Sequence, residues 1–125
     1  MTDSTSKFKD KEEVLRHFVV FAAKALRLQA VPAIKIVNNP QLPQKLKSLG
    51  YFNGKQIVTY IGPRLMADVL RTLGHELVHQ RQNEIGKLDD PKAGDTGSPQ
   101  ENEANSIAGI LLRLYGKQNP SIYDM

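Results

Sequence analysis

The chain contains no cysteine in its 125 residues. Disulfides are therefore excluded, and so is any metal site built on thiolates. The absence fits a reducing compartment. Long apolar runs are lacking as well. The longest, residues 18–31, is broken by Lys24, Arg27 and Gln29, too short and too charged to span a bilayer. The first thirteen residues are polar and charged, so no secretory leader is expected. A cytoplasmic protein with no membrane partner follows. Internal repeats and low-complexity tracts are absent. No basic run is interleaved with aromatics, and no nucleic-acid motif is visible.

What is present is enough for one small domain with a core of its own, residues 1–125. Net charge is +4, unevenly placed. Residues 1–60 hold ten Lys/Arg against four Asp/Glu, and residues 61–125 hold seven against nine. A basic half can steer a protein toward an acidic partner or nucleic acid. A solvated helix face with lysine-rich turns explains the same charge.

The informative stretch is His75-Glu76-Leu77-Val78-His79, an H-E-x-x-H pattern. The chain has three histidines and six glutamates, and shuffling them produces this pattern roughly 3 times in 1,000. Helical spacing extends from about Pro63 to Asn83, with proline suited to the first position. Leu65, Val69, Leu73 and Leu77 recur at i+4 and supply an apolar stripe. Asp68, Thr72, His75 and His79 fall on a neighbouring stripe. Positions i and i+4 lie one turn apart on one face. Both imidazoles can therefore reach one ion, with Glu76 beside it as a general base.

The flanking elements place this helix. Residues 1–10 read as a frayed start. Apolar positions Val14, Leu15, Phe18, Val19, Ala22, Ala25 and Leu26 predict a helix over residues 11–28. His17, at the edge of its stripe, reads as structural. Residues 31–37 read as a strand and 41–48 as a loop. Tyr51-Phe52, Asn53-Gly54 and residues 56–61 form a hairpin signal, Asn-Gly supplying the positive φ angles of a type I′ turn. The strand at Ile57–Tyr60 is a candidate edge strand that could pair with an extended substrate, or simply an interior strand. Gly86 is expected to end the metal helix, and residues 87–97 read as a loop. Their aspartates lack the spacing of a calcium loop. Ser98 as cap, Pro99 and Glu101 then open a last helix that runs to Gly116. Residues 117–125 are expected to be irregular and flexible.

A catalytic zinc takes three protein ligands and leaves one position open. The third is expected to be a carboxylate on the last helix. Glu101 shares a face with Ala104, Asn105 and Ala108, whose small side chains allow close helix approach. Glu103 shares an apolar face with Ile107 and Ile110. Periodicity leaves both open, and Glu101 could serve only in a capping box. Arg113 and Tyr115 are the candidates for a second oxyanion stabiliser, and each reads equally as an ordinary surface or core residue.

An H-E-L-V-H helix followed by a glutamate on a later helix resembles the gluzincin zinc peptidases. Glu101-Asn102-Glu103-Ala104-Asn105-Ser106-Ile107-Ala108 resembles the E-x-x-A-N/D-x-x-A element of ImmA/IrrE-type peptidases. Arg71-Thr72-Leu73-Gly74 and Gly97-Ser98 are similar to segments of small peptidase domains encoded by tailed phages. The likeness covers roughly residues 50–116. Leu111-Leu112-Arg113 departs from the Leu-Leu-Met-Pro ending frequent in ImmA/IrrE-type peptidases, and Asn105 stands where gluzincins often carry aspartate. The resemblance implies Zn2+ held by His75, His79 and Glu101, Asn105 orienting a histidine, and Glu76 as catalytic base. It implies an α+β, zincin-like fold of three main helices and a small antiparallel sheet, with the metal between the H-E-x-x-H helix and the C-terminal helix. The expected activity is hydrolysis of a protein or peptide substrate, in the cytoplasm or that of a phage-infected cell. The alternative is a non-catalytic zinc-containing virion or nucleic-acid-associated module, motivated by the basic N-terminal half.

Overall fold

A computed structural model describes residues 11–38, 50–53, 55–62, 64–86 and 97–125. Among the described residues, three helices and a three-stranded sheet build an α+β fold: α1 (Lys11–Leu26), β1 (Ala33–Val37), β2 (Gly50–Phe52), β3 (Gln56–Tyr60), α2 (Met66–Glu84) and α3 (Pro99–Gln118), followed by a 3-10 helix (Pro120–Asp124). The expected start at residues 1–10 and the loops at 41–48 and 87–96 lie outside the described residues, as do Gly54 and Pro63. Among the described residues, no helix is long and apolar enough to cross a membrane.

Helix α1 buries the predicted stripe, with Val14, Leu15, Phe18, Val19 and Ala22 in the core. It ends two residues early. Arg27 turns to φ 55°, Leu28 N–H bonds Ala23 O at 3.0 Å, and Arg27 N–H bonds Lys24 O at 3.2 Å. These two bonds form the Schellman stop. The turn after it is held from α2: Gln80 Nε2 donates to Ala30 O, and Gln29 N–H bonds the Glu84 carboxylate at 3.1 Å.

The sheet corrects two expectations. Its order is β1-β3-β2, with β1 parallel to β3 and β2 antiparallel to it. The sheet is thus mixed, not antiparallel, because β1 joins the far side of β3 across a long connection. The candidate edge strand Ile57–Tyr60 is the central one, paired on both sides and buried at Ile57, Val58, Thr59 and Tyr60. The hairpin forms, but Asn53 does not take the positive φ expected of it. Instead its Oδ1 accepts from Lys55 N–H and Gln56 N–H at 2.9 and 2.7 Å, holding the turn with its side chain.

Helix α2 carries the apolar stripe into the core at Val69, Leu73 and Leu77, with Leu70 alongside, but it starts at Met66, later than expected, and leaves Leu65 63% exposed outside it. Gly86, at φ 80°, follows its end as predicted. Helix α3 begins at Pro99, and Ser98 Oγ accepts the Glu101 N–H at 3.2 Å. Residues 117–125 are not irregular: α3 continues to Gln118 and the 3-10 helix buries Ile122 completely. The Met125 carbonyl accepts the Met66 N–H at 3.0 Å. The tail thereby satisfies one of the free donors at the start of α2.

The two site-bearing helices meet at small residues. A Cβ placed on Gly74 would lie 3.5 Å from Cα and Cβ of Ala108 and 3.6 Å from Phe18. Those are ordinary contacts, so one methyl fits. Gly74→Ala should stabilise the fold by about 0.5–1 kcal/mol, through lower entropy of the unfolded chain. Gly74→Val should destabilise by roughly 1–3 kcal/mol, because overpacking wedges the helices apart. Urea unfolding of the two variants checks this, and equal destabilisation by both would refute the contact geometry.

Candidate metal centre

His75 and His79 stand one turn apart on α2, and their rings meet edge to face, 4.6 Å between centroids. Glu101, in the first turn of α3, faces both. Its Oε2 lies 3.0 Å from His75 Nε2 and its Oε1 3.1 Å from His79 Nε2, while the two Nε2 atoms are 3.0 Å apart. Among the described residues, this is the group of histidine and acidic side chains that could hold a metal ion. Donors placed tetrahedrally at about 2.0–2.1 Å from an ion stand roughly 3.3–3.4 Å apart. The observed triangle is close to that spacing. Two imidazole nitrogens and one carboxylate are also a donor set that zinc accepts. The residues present therefore fit a divalent ion.

Supporting bonds aim these donors. Gln82, fully buried, directs Oε1 at His79 Nδ1, 2.8 Å away. Its Nε2 donates to Gln100 O and to Glu103 Oε1, each at 2.9 Å. With the amide nitrogen so engaged, His79 Nδ1 carries the proton. Its Nε2 lone pair is left facing His75 and Glu101. Asn105, one turn after Glu101 on α3, acts on His75 to favour its protonated form, against the larger lowering effects. Glu103 thus accepts from Gln82, and Glu101 is the glutamate that stands with the two histidines. The Ser98 cap orients the first turn of α3 while the Glu101 carboxylate reaches the histidines. Gln82 escaped the sequence reading. Its signal was a polar residue three positions after His79, on the same side of the helix.

Burial and charge tune the cluster. Desolvation pulls the His75 pKa down, and the neighbouring His79 charge pulls it further. Both favour the neutral, ligating form. Glu76 is 7% exposed. Burial raises its pKa to about 7, with His79 opposing and Glu101 reinforcing the shift. A carboxyl with that pKa can accept and release a proton near neutrality. His75 and Glu101 are 21% and 23% exposed at their side chains, so solvent reaches one side of the triangle.

The remaining candidates lie elsewhere. His17 Nδ1 pairs with the Tyr115 hydroxyl at 2.6 Å. Tyr115 is buried edge-on against Phe18 and Phe21, and burial raises its pKa to about 12. It is a core residue, with its hydroxyl committed to His17. Arg113 is exposed. Arg64 lies along the start of α2, donating to Tyr60 O and to Thr72 Oγ1 at 2.9 and 2.7 Å.

Comparison of the chain with protein-family models, with curated proteins and with solved structures finds no match.

Two outcomes follow from this geometry. Glu101→Ala should abolish stoichiometric zinc binding, whereas Glu103→Ala should retain it with affinity lowered about 10–100-fold. Calorimetric titration with zinc distinguishes them, and the reverse order would move the ligand to Glu103. The second concerns pH in chelator-treated protein. A raised Glu76 pKa means the folded state holds that proton more tightly than the unfolded chain. The stability it contributes is present at acid pH and is lost as pH rises through about 7. Glu76→Gln should therefore raise the melting temperature more at pH 8 than at pH 5. A larger gain at pH 5 would contradict the buried, proton-binding placement of Glu76.

Proposed function

We propose that this chain is a zinc-dependent peptidase with a zincin-like fold, of the gluzincin and ImmA/IrrE kind. The observation that carries this reading is the convergence of His75, His79 and Glu101 from two helices, with Glu76 buried beside them and one side open to solvent. A bound zinc ion would supply Lewis acidity, polarising a water and a substrate carbonyl. His75, His79 and Glu101 would hold the ion. Glu76, next to His75 in the chain, accepts the proton of the attacking water and delivers it to the leaving amine. Its raised pKa matches that double duty. Gln82 keeps His79 in the ligating tautomer, and Asn105 steadies His75.

The substrate is an extended peptide. β2 is an outer strand, and among the described residues only β3 pairs with it. It lies against α2 one turn before the motif: a Cβ on Gly50 would come within 2.8 Å of Thr72 Cγ2. As an outer strand beside this helix, β2 takes the substrate-pairing role considered for β3. The lack of cysteine suits work in the cytoplasm.

The test separates metal binding from catalysis. Glu76→Gln should bind zinc stoichiometrically while losing peptide hydrolysis by at least about 100-fold, the typical range for general-base removal. Cleavage of a casein or denatured-protein substrate at the unaltered rate would remove Glu76 from the mechanism.

A further inference from the structure

On the opposite edge of the sheet, α1 and β1 enclose a groove of about 380 Å³. Arg16, Val19 and Val20 form one wall, and Val31, Ile34 and Ile36 the other. Val20 and Val31 are 51% and 57% exposed, so the groove opens to solvent with apolar surface at its lip. β1 is an outer strand whose only strand partner among the described residues is β3. Val37 O accepts the Ile61 N–H on the β3 side at 2.9 Å. Backbone groups alternate sides along a strand, so the N–H and C=O of Ile34 and Ile36 point outward. The same two residues send their side chains into the groove. A strand added here would gain backbone bonds and place alternate side chains in an apolar cleft.

Charge indicates the occupant. Residues 11–38 carry Lys11, Arg16, Lys24, Arg27 and Lys35 against Glu12 and Glu13. Arg16 stands at the groove itself, and Lys35 is exposed on β1 between the two isoleucines. A second copy pairing antiparallel through β1 would bring Lys35 against Lys35, and like charges directly opposite are unfavourable. An acidic strand meets the opposite situation.

We propose that the α1–β1 groove is a docking site for an extended peptide segment, apolar at alternate positions and acidic between them. The segment adds to β1 as a fourth strand. Its apolar side chains fill the cleft between Val19 and Ile36, and its carboxylates lie on the other face of the strand, beside Lys35. The site is separate from the metal centre and does not require it.

Fluorescence polarisation with a labelled peptide of about eight residues, alternating valine and glutamate, tests this. Binding should saturate. It should weaken about fivefold or more when the glutamates are replaced by lysine, and likewise in Lys35→Glu protein. Val20→Asp should also weaken it, and N-methylation of the peptide nitrogens that face β1 should abolish it. Lys35 and Val20 are exposed, so these variants keep the fold, as circular dichroism would verify. Glu101→Ala should bind the peptide unchanged. Loss of binding in Glu101→Ala would place the probe in the metal cleft and overturn the proposal. Indifference to the peptide's charge would overturn it too. So would a dimer in sedimentation that Val20→Asp dissolves while no peptide binds, which would assign the groove to a second copy.

Discussion

The contact between α2 and α3 at Gly74, Ala104 and Ala108 controls everything else in this molecule. Ala104 and Ala108 are fully buried, and Gly74 faces Ala108 with room for only one more methyl. Helices approach this closely only where side chains are small. The short interaxial distance lets a glutamate, with its limited reach, bridge two imidazoles on the other helix. Larger residues at this crossing would hold His75 and His79 apart from Glu101.

Around that contact, groups serve paired purposes. Ser98 satisfies a free N–H of the first turn of α3, and the same turn presents Glu101. Gln82 links His79 on α2 to Gln100 and Glu103 on α3. One buried amide thus ties the two helices together and sets a histidine tautomer. An unpaired buried amide would be costly, so the network is held whole. Glu76 differs from its neighbours in kind. It is buried, and burial raises its pKa to about 7.

The two sheet edges divide the surface. β2 lies near the metal helix, and β1 borders the cleft under α1. They are the outer strands because β3 takes the centre. Edge strands invite pairing. Lys35, exposed on β1, discourages pairing with a copy of itself while leaving an acidic strand welcome.

Local chemistry determined a good deal at the level of the sequence. The i, i+4 spacing of His75 and His79, the stripe of Leu73 and Leu77, the Ser98-Pro99 start and the Gly86 stop each depend on residues within one or two helical turns. Such signals are complete within a short window, so they are readable without the fold. The choice of Glu101 over Glu103 needed the helix crossing, because both sit on faces with apolar neighbours. The central place of β3, the parallel pairing of β1 and the burial of Ile122 are contacts between segments far apart in the chain. Their free energy comes from burial and backbone pairing across the whole domain. No local pattern encodes which distant surface a strand or tail will meet.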